Sequence, residues 1–158
     1  MHYDHILAAT DFSDLGDLAL ERAAGLAQAG ATKLTVLHVL PTPTAPSPMF
    51  AHYDVSTSDD RVASAKREAE RLLRERIPKS VSESEIEIVV EVRVGDPANE
   101  ILACEVANAP DLIVLATHGR RGWKRWVMGS VAERIVQMAS ADVLTIREHD
   151  EAHAHDDL

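Results

Sequence analysis

The chain has 158 residues, 46% of them hydrophobic and 27% charged, with a formal net charge of −10. That length suits one domain able to bury about two-thirds of its unfolded surface, and the acidic balance excludes a general nucleic-acid binder, which needs a basic face. No apolar run approaches the ~18 residues that cross a bilayer, so no membrane insertion is expected; Asp4 and the short apolar run after it do not make a secretory signal, and the single Cys104 suits a reducing, cytoplasmic setting.

In chain order, residues 5–9 predict a first strand, and Ser13 is placed to cap a helix that carries Leu15, Leu18, Ala19, Arg22, Ala23 and Leu26 on one side and stops at Gly30. Residues 33–40 predict a second strand. Four prolines within 41–48 then predict a loop, because proline removes donors and fixes φ. A long charged helix is expected over 58–77, with Val62, Ala65, Ala69, Leu72, Leu73 and Ile77 inward. Residues 86–94 predict the third strand. Gly95, Asp96 and Pro97 turn into a third helix, with Asp96 as cap and Pro97 at its first position, ending near Ala109 and Pro110. A fourth strand is expected over 111–116, a fourth helix over 129–139 and a fifth strand over 142–147.

Five strands alternating with four helices predict an α/β fold, a doubly wound parallel sheet with helices on both faces. Ligands of such sheets bind beyond the carboxyl ends of the strands, where the winding reverses. If the first and fourth strands are neighbours there, the Thr10–Asp11 turn and the segment from Gly119 to Ser130 face one crevice.

That second segment carries the strongest chemical signal. Gly119 is followed by nine residues and then Gly129 and Ser130, and Arg120, Arg121, Lys124 and Arg125 fall inside six positions of an acidic chain. Glycines let backbone amides approach an anion, and the N-terminus of a helix attracts it. The pattern predicts a nucleotide phosphate site, with Ser130 also able to act as a helix cap. One or two of the four cations are expected near the phosphates, the rest in solvent. Trp123 and Trp126, three apart, could stack on a base but are expected instead to pack against the sheet or a partner chain. Asp11 is expected to be available to a ligand, since Ser13 can serve the following helix. His38 and His118 lie near the site, but nothing identifies a nucleophile for either to activate, and no catalytic residue is assigned.

These segments (ATDFSD after the first strand, LHVL closing the second, VGDP before the third helix and ATHGRRGWKRWVMGSVAERIV at the fourth) resemble universal stress proteins of the A type over about residues 3–147. Nucleotide-binding members carry Gly, two residues, Gly, nine residues, Gly and then Ser or Thr; Ala116, Gly119, Gly129 and Ser130 stand at those positions, so the first glycine is replaced. The resemblance implies a Rossmann-like sheet of order 3-2-1-4-5 and a nucleotide-binding domain over residues 1–147, followed by a polar tail, 148–158. It implies ATP, accompanied by Mg2+ or Mn2+, between strands one and four. Ala9, Thr10 and Asp11 would border the adenosine, and Val39 would meet adenine through its backbone. Ala116, His118, Gly119, Arg120, Gly129, Ser130 and Val131 would surround ribose and phosphates. A positive φ at Ala116 would cost on the order of 1 kcal/mol and place a methyl against the ribose. Ala116 directly follows Leu115 of the strand and is expected instead to be extended.

The resemblance also implies a homodimer paired through the last strand, and Val143 to Ile146 form an apolar edge that needs covering. The function expected is a regulatory ATP-binding module of the stress response, acting through nucleotide-dependent contacts within the dimer or with a regulatory protein partner. The alternatives are a slow ATPase, for which no GxxxxGK[ST] loop is present, and a nucleotide-free dimeric scaffold, to which Ala116 points. A phospho-receiver domain would place acids at Asp11 and Asp96 but lacks the second acid after strand one. The histidines and acids of the tail are expected to belong to a disordered segment and not to a metal site, and Met49, Phe50 and Tyr53 are open to three readings, a mobile flap over the adenine, a partner surface or disorder.

Overall fold

A computed structural model describes residues 2–42, 56–117 and 128–147. The elements are β1 (His5–Ala9), α1 (Asp14–Gln28), β2 (Lys33–Pro41), α2 (Ser56–Arg76), α3 (Lys79–Ser82), β3 (Glu87–Gly95), α4 (Pro97–Asn108), β4 (Leu112–Ala116), α5 (Ser130–Met138) and β5 (Asp142–Ile146). The strands form one sheet in the order β3-β2-β1-β4-β5, and every pairing is parallel. The expected α/β architecture and strand order are both present.

Strand alternation divides the core into two layers. Ile6, Ala8, Leu34, Val36, Leu112 and Val114 face a layer closed by α1, α2 and the single turn α3, where Ala19, Leu20, Ala23, Ala69, Leu73 and Val81 are buried. Leu7, Leu37, Val39, Ile113 and Leu115 face the other layer, closed by Ala98, Ile101 and Cys104 of α4 and by Ala132 and Ile135 of α5. Side chains alternate between faces along a strand, so near-continuous apolar runs are what a sheet covered on both sides requires.

Local differences from the expected elements have simple causes. β2 continues one residue into the proline-rich segment, where Pro41 lies opposite Gly95 at the strand end, a position that asks little of its missing N–H. The rest of that segment, with Met49, Phe50 and Tyr53, lies outside the described residues, as does the tail from residue 148. The turn α3, absent from the sequence reading, begins after Pro78, whose fixed φ starts a new helix but cannot continue α2. The buried stripe of α1 is Gly16, Ala19, Leu20, Ala23, Ala24 and Ala27. Small residues let this helix lie close on the sheet, which turns Arg22 and Leu26 outward, against expectation. Ala65 of α2 is exposed although it shares a face with Ala69 and Leu73, because the helix meets the core through its later turns.

Candidate nucleotide site at the winding reversal

From β1 the chain winds one way to β2 and β3, and from β4 the other way to β5. The reversal therefore falls between β1 and β4, whose last paired residues are Ala9 and Leu115. Thr10 and Ala116 follow that pair, Ala116 still paired with β5, and β2 runs four residues past the Ala9–Leu37 pair to Pro41.

The turn after β1 is held by its own side chains. Thr10 is 5% exposed. Its N–H donates to the Leu37 carbonyl at 3.0 Å, and its hydroxyl accepts the Phe12 amide at 3.1 Å. The carboxylate of Asp11 accepts both the amide of Ser13, at 3.1 Å, and its hydroxyl, at 2.5 Å, through Oδ1. Ser13 in turn caps α1 by accepting the Gly16 amide at 3.0 Å. Ser13 is the cap, as expected, and its hydroxyl proton lands on Asp11, whose Oδ1 thereby braces the turn.

Two features of this turn escaped the sequence reading. Phe12 has φ 63°, in the left-handed region, which costs a non-glycine residue about 1–2 kcal/mol. Its ring lies 4.2 Å from that of His38, and the Arg76 guanidinium sits over it 4.8 Å from its centroid, fixed by Asp17 at 3.0 Å. The second feature is Gly16. A Cβ there would stand 2.7 Å from Asp11 Oδ1 and 2.8 Å from Thr10 Oγ1, so the first turn of α1 approaches the strand end only because that side chain is absent. A glycine three residues after a cap, where alanine is about 1 kcal/mol better, was the signal available.

His38 is 8% exposed, and its Nδ1 lies 2.8 Å from the Thr10 carbonyl. A carbonyl only accepts, so Nδ1 donates. The imidazole thus fixes the backbone of the β1 turn.

On the other side of the reversal, Ala116 is the last residue of β4 and pairs with Ile146. It is absent from the positive-φ residues, so the alanine that replaces the expected glycine sits in extended backbone without strain. Thr117, 7% exposed, donates its amide to the Ile146 carbonyl and accepts the Gly129 amide, each at 2.7 Å. Gly129 is the N-cap of α5, at φ −63° and ψ 150°, and no side chain caps the helix. Ser130 is therefore the first helical residue and not the cap. Ser130 is exposed, while Val131 is half-buried against the α4–α5 layer. His118, Gly119 and Arg120, with Arg121, Trp123, Lys124, Arg125 and Trp126, lie outside the described residues.

Arg134 ties α5 to the start of α4, reaching Asp96 Oδ1 at 3.2 Å and Asn99 Oδ1 at 2.5 Å. Asp96 also caps α4 by accepting the Asn99 amide at 3.0 Å, as its position before Pro97 predicts. Among the described residues no group of three or more His, Cys, Asp or Glu is placed to hold a metal ion.

A model described as the universal stress protein family matches residues 2–147. The chain belongs to that family. A putative universal stress protein of Staphylococcus aureus strain USA300 is 33% identical over 148 residues, covering 92% of this chain and 84% of the relative. The solved structure of the universal stress protein UspA from Lactobacillus plantarum superposes with a TM-score of 0.77 at 25% identity, over 93% of this chain and 99% of the other. A universal stress protein from Archaeoglobus fulgidus, solved in complex with dAMP, superposes at 0.57 and 21% identity, over 93% of this chain and 100% of the other. No helix among the described residues of this family member is long and apolar enough to cross a membrane.

Proposed function

We propose that the chain binds an adenine nucleotide, ATP with Mg2+ or Mn2+, at the β1–β4 reversal, and that occupancy regulates contacts within a homodimer or with a regulatory protein. The observation that carries this reading is the start of α5. A helix without a side-chain cap begins at Gly129, beside the carboxyl end of β4, and its first-turn amides and dipole suit an anion. The dAMP bound by the Archaeoglobus fulgidus relative is an adenylate of the required class.

In this reading Ser130 and Val131 offer amides, and Ser130 its hydroxyl, to the phosphates. Gly119 and Arg120 complete the loop, with His118 and Ala116 beside the ribose. Ala9, Thr10 and Asp11 border the adenosine, and the Val39 backbone reads the adenine edge. The described residues offer no carboxylate cage, so a divalent ion would be held chiefly by phosphate oxygens, where it neutralises their charge. The extended backbone of Ala116 removes the conformational argument for a nucleotide-free scaffold. Regulation is favoured over hydrolysis because the sequence carries no GxxxxGK[ST] loop.

The homodimer is proposed through β5. Leu144 is 37% exposed on this edge strand, and with Ile146, Leu18, Leu26 and Pro78 it lines a groove of about 740 Å3. A second copy paired along Val143 to Ile146 would cover both the open edge and this apolar flank. The deciding experiment is thermal unfolding with Mg·ATP. At about 100 times Kd the nucleotide adds about 2.7 kcal/mol, a Tm rise of roughly 5–11 °C for this size. No shift at millimolar ATP, together with no nucleotide in mass spectra of gently purified protein, overturns the reading.

A further inference from the structure

We propose that the backbone of Thr117 couples the nucleotide site to the β5 edge, so that phosphate on α5 strengthens pairing between two copies of the chain. This inference rests on the nucleotide and dimer readings above and names the regulation they leave open.

The geometry is a relay of two hydrogen bonds. The Gly129 amide donates to the Thr117 carbonyl at 2.7 Å, and the Thr117 amide donates to the Ile146 carbonyl at 2.7 Å. Gly129 is the residue immediately before the amides offered to phosphate. Ile146 is the last residue of the edge strand and part of the groove beside it. Thr117 itself is 7% exposed, so water does not readily replace either bond, and an opened relay leaves buried backbone groups unsatisfied. No flexible side chain intervenes.

The same segment therefore ends β4, closes the cap of α5 and fixes the end of β5. An anion drawn onto the first turn of α5 restrains Gly129 and keeps the Thr117 carbonyl engaged. The Thr117 amide then stays aligned on Ile146. An edge strand already ordered loses less conformational entropy when a second copy pairs with it, which is the thermodynamic content of the coupling. Linkage makes it reciprocal: dimerisation tightens nucleotide binding by the same factor.

The test combines the dimer dissociation constant from analytical ultracentrifugation, ATP affinity from calorimetry and hydrogen exchange at the Thr117 amide, each with and without Mg·ATP. In the wild type, nucleotide tightens the dimer by about fivefold, the low end of usual couplings, and slows exchange at Thr117. Gly129→Pro suits the native φ of −63° while deleting the donor; Gly129→Ala retains it. The proline variant dimerises more weakly than the alanine variant even without nucleotide, and gains nothing from ATP where the alanine variant gains about fivefold. A wild type that binds ATP with dimer constant and Thr117 exchange unmoved overturns the coupling alone, as does a proline variant equal to the alanine variant without nucleotide. A wild type that binds no ATP overturns the nucleotide reading, and the coupling with it; a wild type that never dimerises overturns the coupling and the dimer reading together.

Discussion

The carboxylate of Glu105 accepts the amide of Ala141 at 2.7 Å, across 36 residues of sequence. The same oxygen accepts the Ser140 amide at 2.7 Å, so one carboxylate on α4, 7% exposed, holds the turn from α5 into β5. Glu105→Ala leaves two backbone donors without their partner and should cost about 2–4 kcal/mol. Glu105→Gln keeps an acceptor without its charge and should cost about 1 kcal/mol. Urea denaturation separates the two, and equal losses would show that the charge contributes nothing.

Gly16 and Gly25 lie on the same helix and should respond oppositely to alanine. At Gly16 the new methyl meets Asp11 and Thr10 within 2.8 Å, so the turn must shift, at a cost of about 1–3 kcal/mol that outweighs the gain in helix propensity. At Gly25 nothing lies within 4 Å, and alanine should stabilise by about 0.5–1 kcal/mol. On the proposed reading Gly16→Ala also weakens ATP binding, measured by calorimetry, whereas Gly25→Ala leaves it unchanged.

Phe12 combines backbone strain with ring packing. Phe12→Ala loses the contacts to His38 and Arg76 and keeps a Cβ at φ 63°. Phe12→Gly loses the same contacts but relaxes the backbone. The glycine variant should therefore be the more stable of the two by about 1 kcal/mol, although glycine is ordinarily the more costly replacement. Chemical denaturation of both variants decides the sign.

Cys104 should be inert as a thiol at neutral pH. It is fully buried, and burial first, then the Glu91 carboxylate beside it, pushes its pKa up to about 11 from 9.0. Its thiolate fraction near pH 7 is then roughly a hundredfold below that of an ordinary cysteine, and alkylation of the native protein should be correspondingly slow. Because the folded pKa is the higher one, the associated stability is complete below pH 9.0 and declines as pH rises toward about 11. Alkylation of native protein at the rate of denatured protein would contradict this.

What the sequence disclosed and what it concealed follow from the range of the interactions involved. Ser13, and Asp96 with Pro97, were legible because capping acts within three residues, and the five strands because alternation with helices repeats along the chain. The bond from Ser13 to Asp11 was hidden although it spans only two residues, since composition does not say which of two local acceptors a hydroxyl chooses. The Glu105 clamp and the Arg76–Asp17 pair, 59 residues apart, have no periodic signature and depend on how α4 meets α5 and α2 meets α1. The α1 stripe was misplaced because a hydrophobic pattern favours leucines, whereas close approach to a sheet selects alanine and glycine. Leu26, freed from the core, joins Leu144 in the groove beside β5, so the misplaced residue belongs to the proposed dimer surface.

That surface supplies the last prediction. Val143 and Leu144 point to opposite faces of the edge strand: Val143 packs against the α4–α5 layer, and Leu144 lines the groove with Leu18 and Leu26. A lysine at either position places charge where a second copy would pair, and both variants should be monomers in light scattering at concentrations where the wild type is dimeric. Their stabilities should differ, because Leu144 is 37% exposed and its replacement removes little packing, while Val143→Lys withdraws a side chain from the core layer and should cost about 1–3 kcal/mol. Monomers from Leu144→Lys with near-native stability would assign the edge to self-association. Dimers that persist in both variants would place the interface elsewhere, and the groove would then lose its proposed occupant.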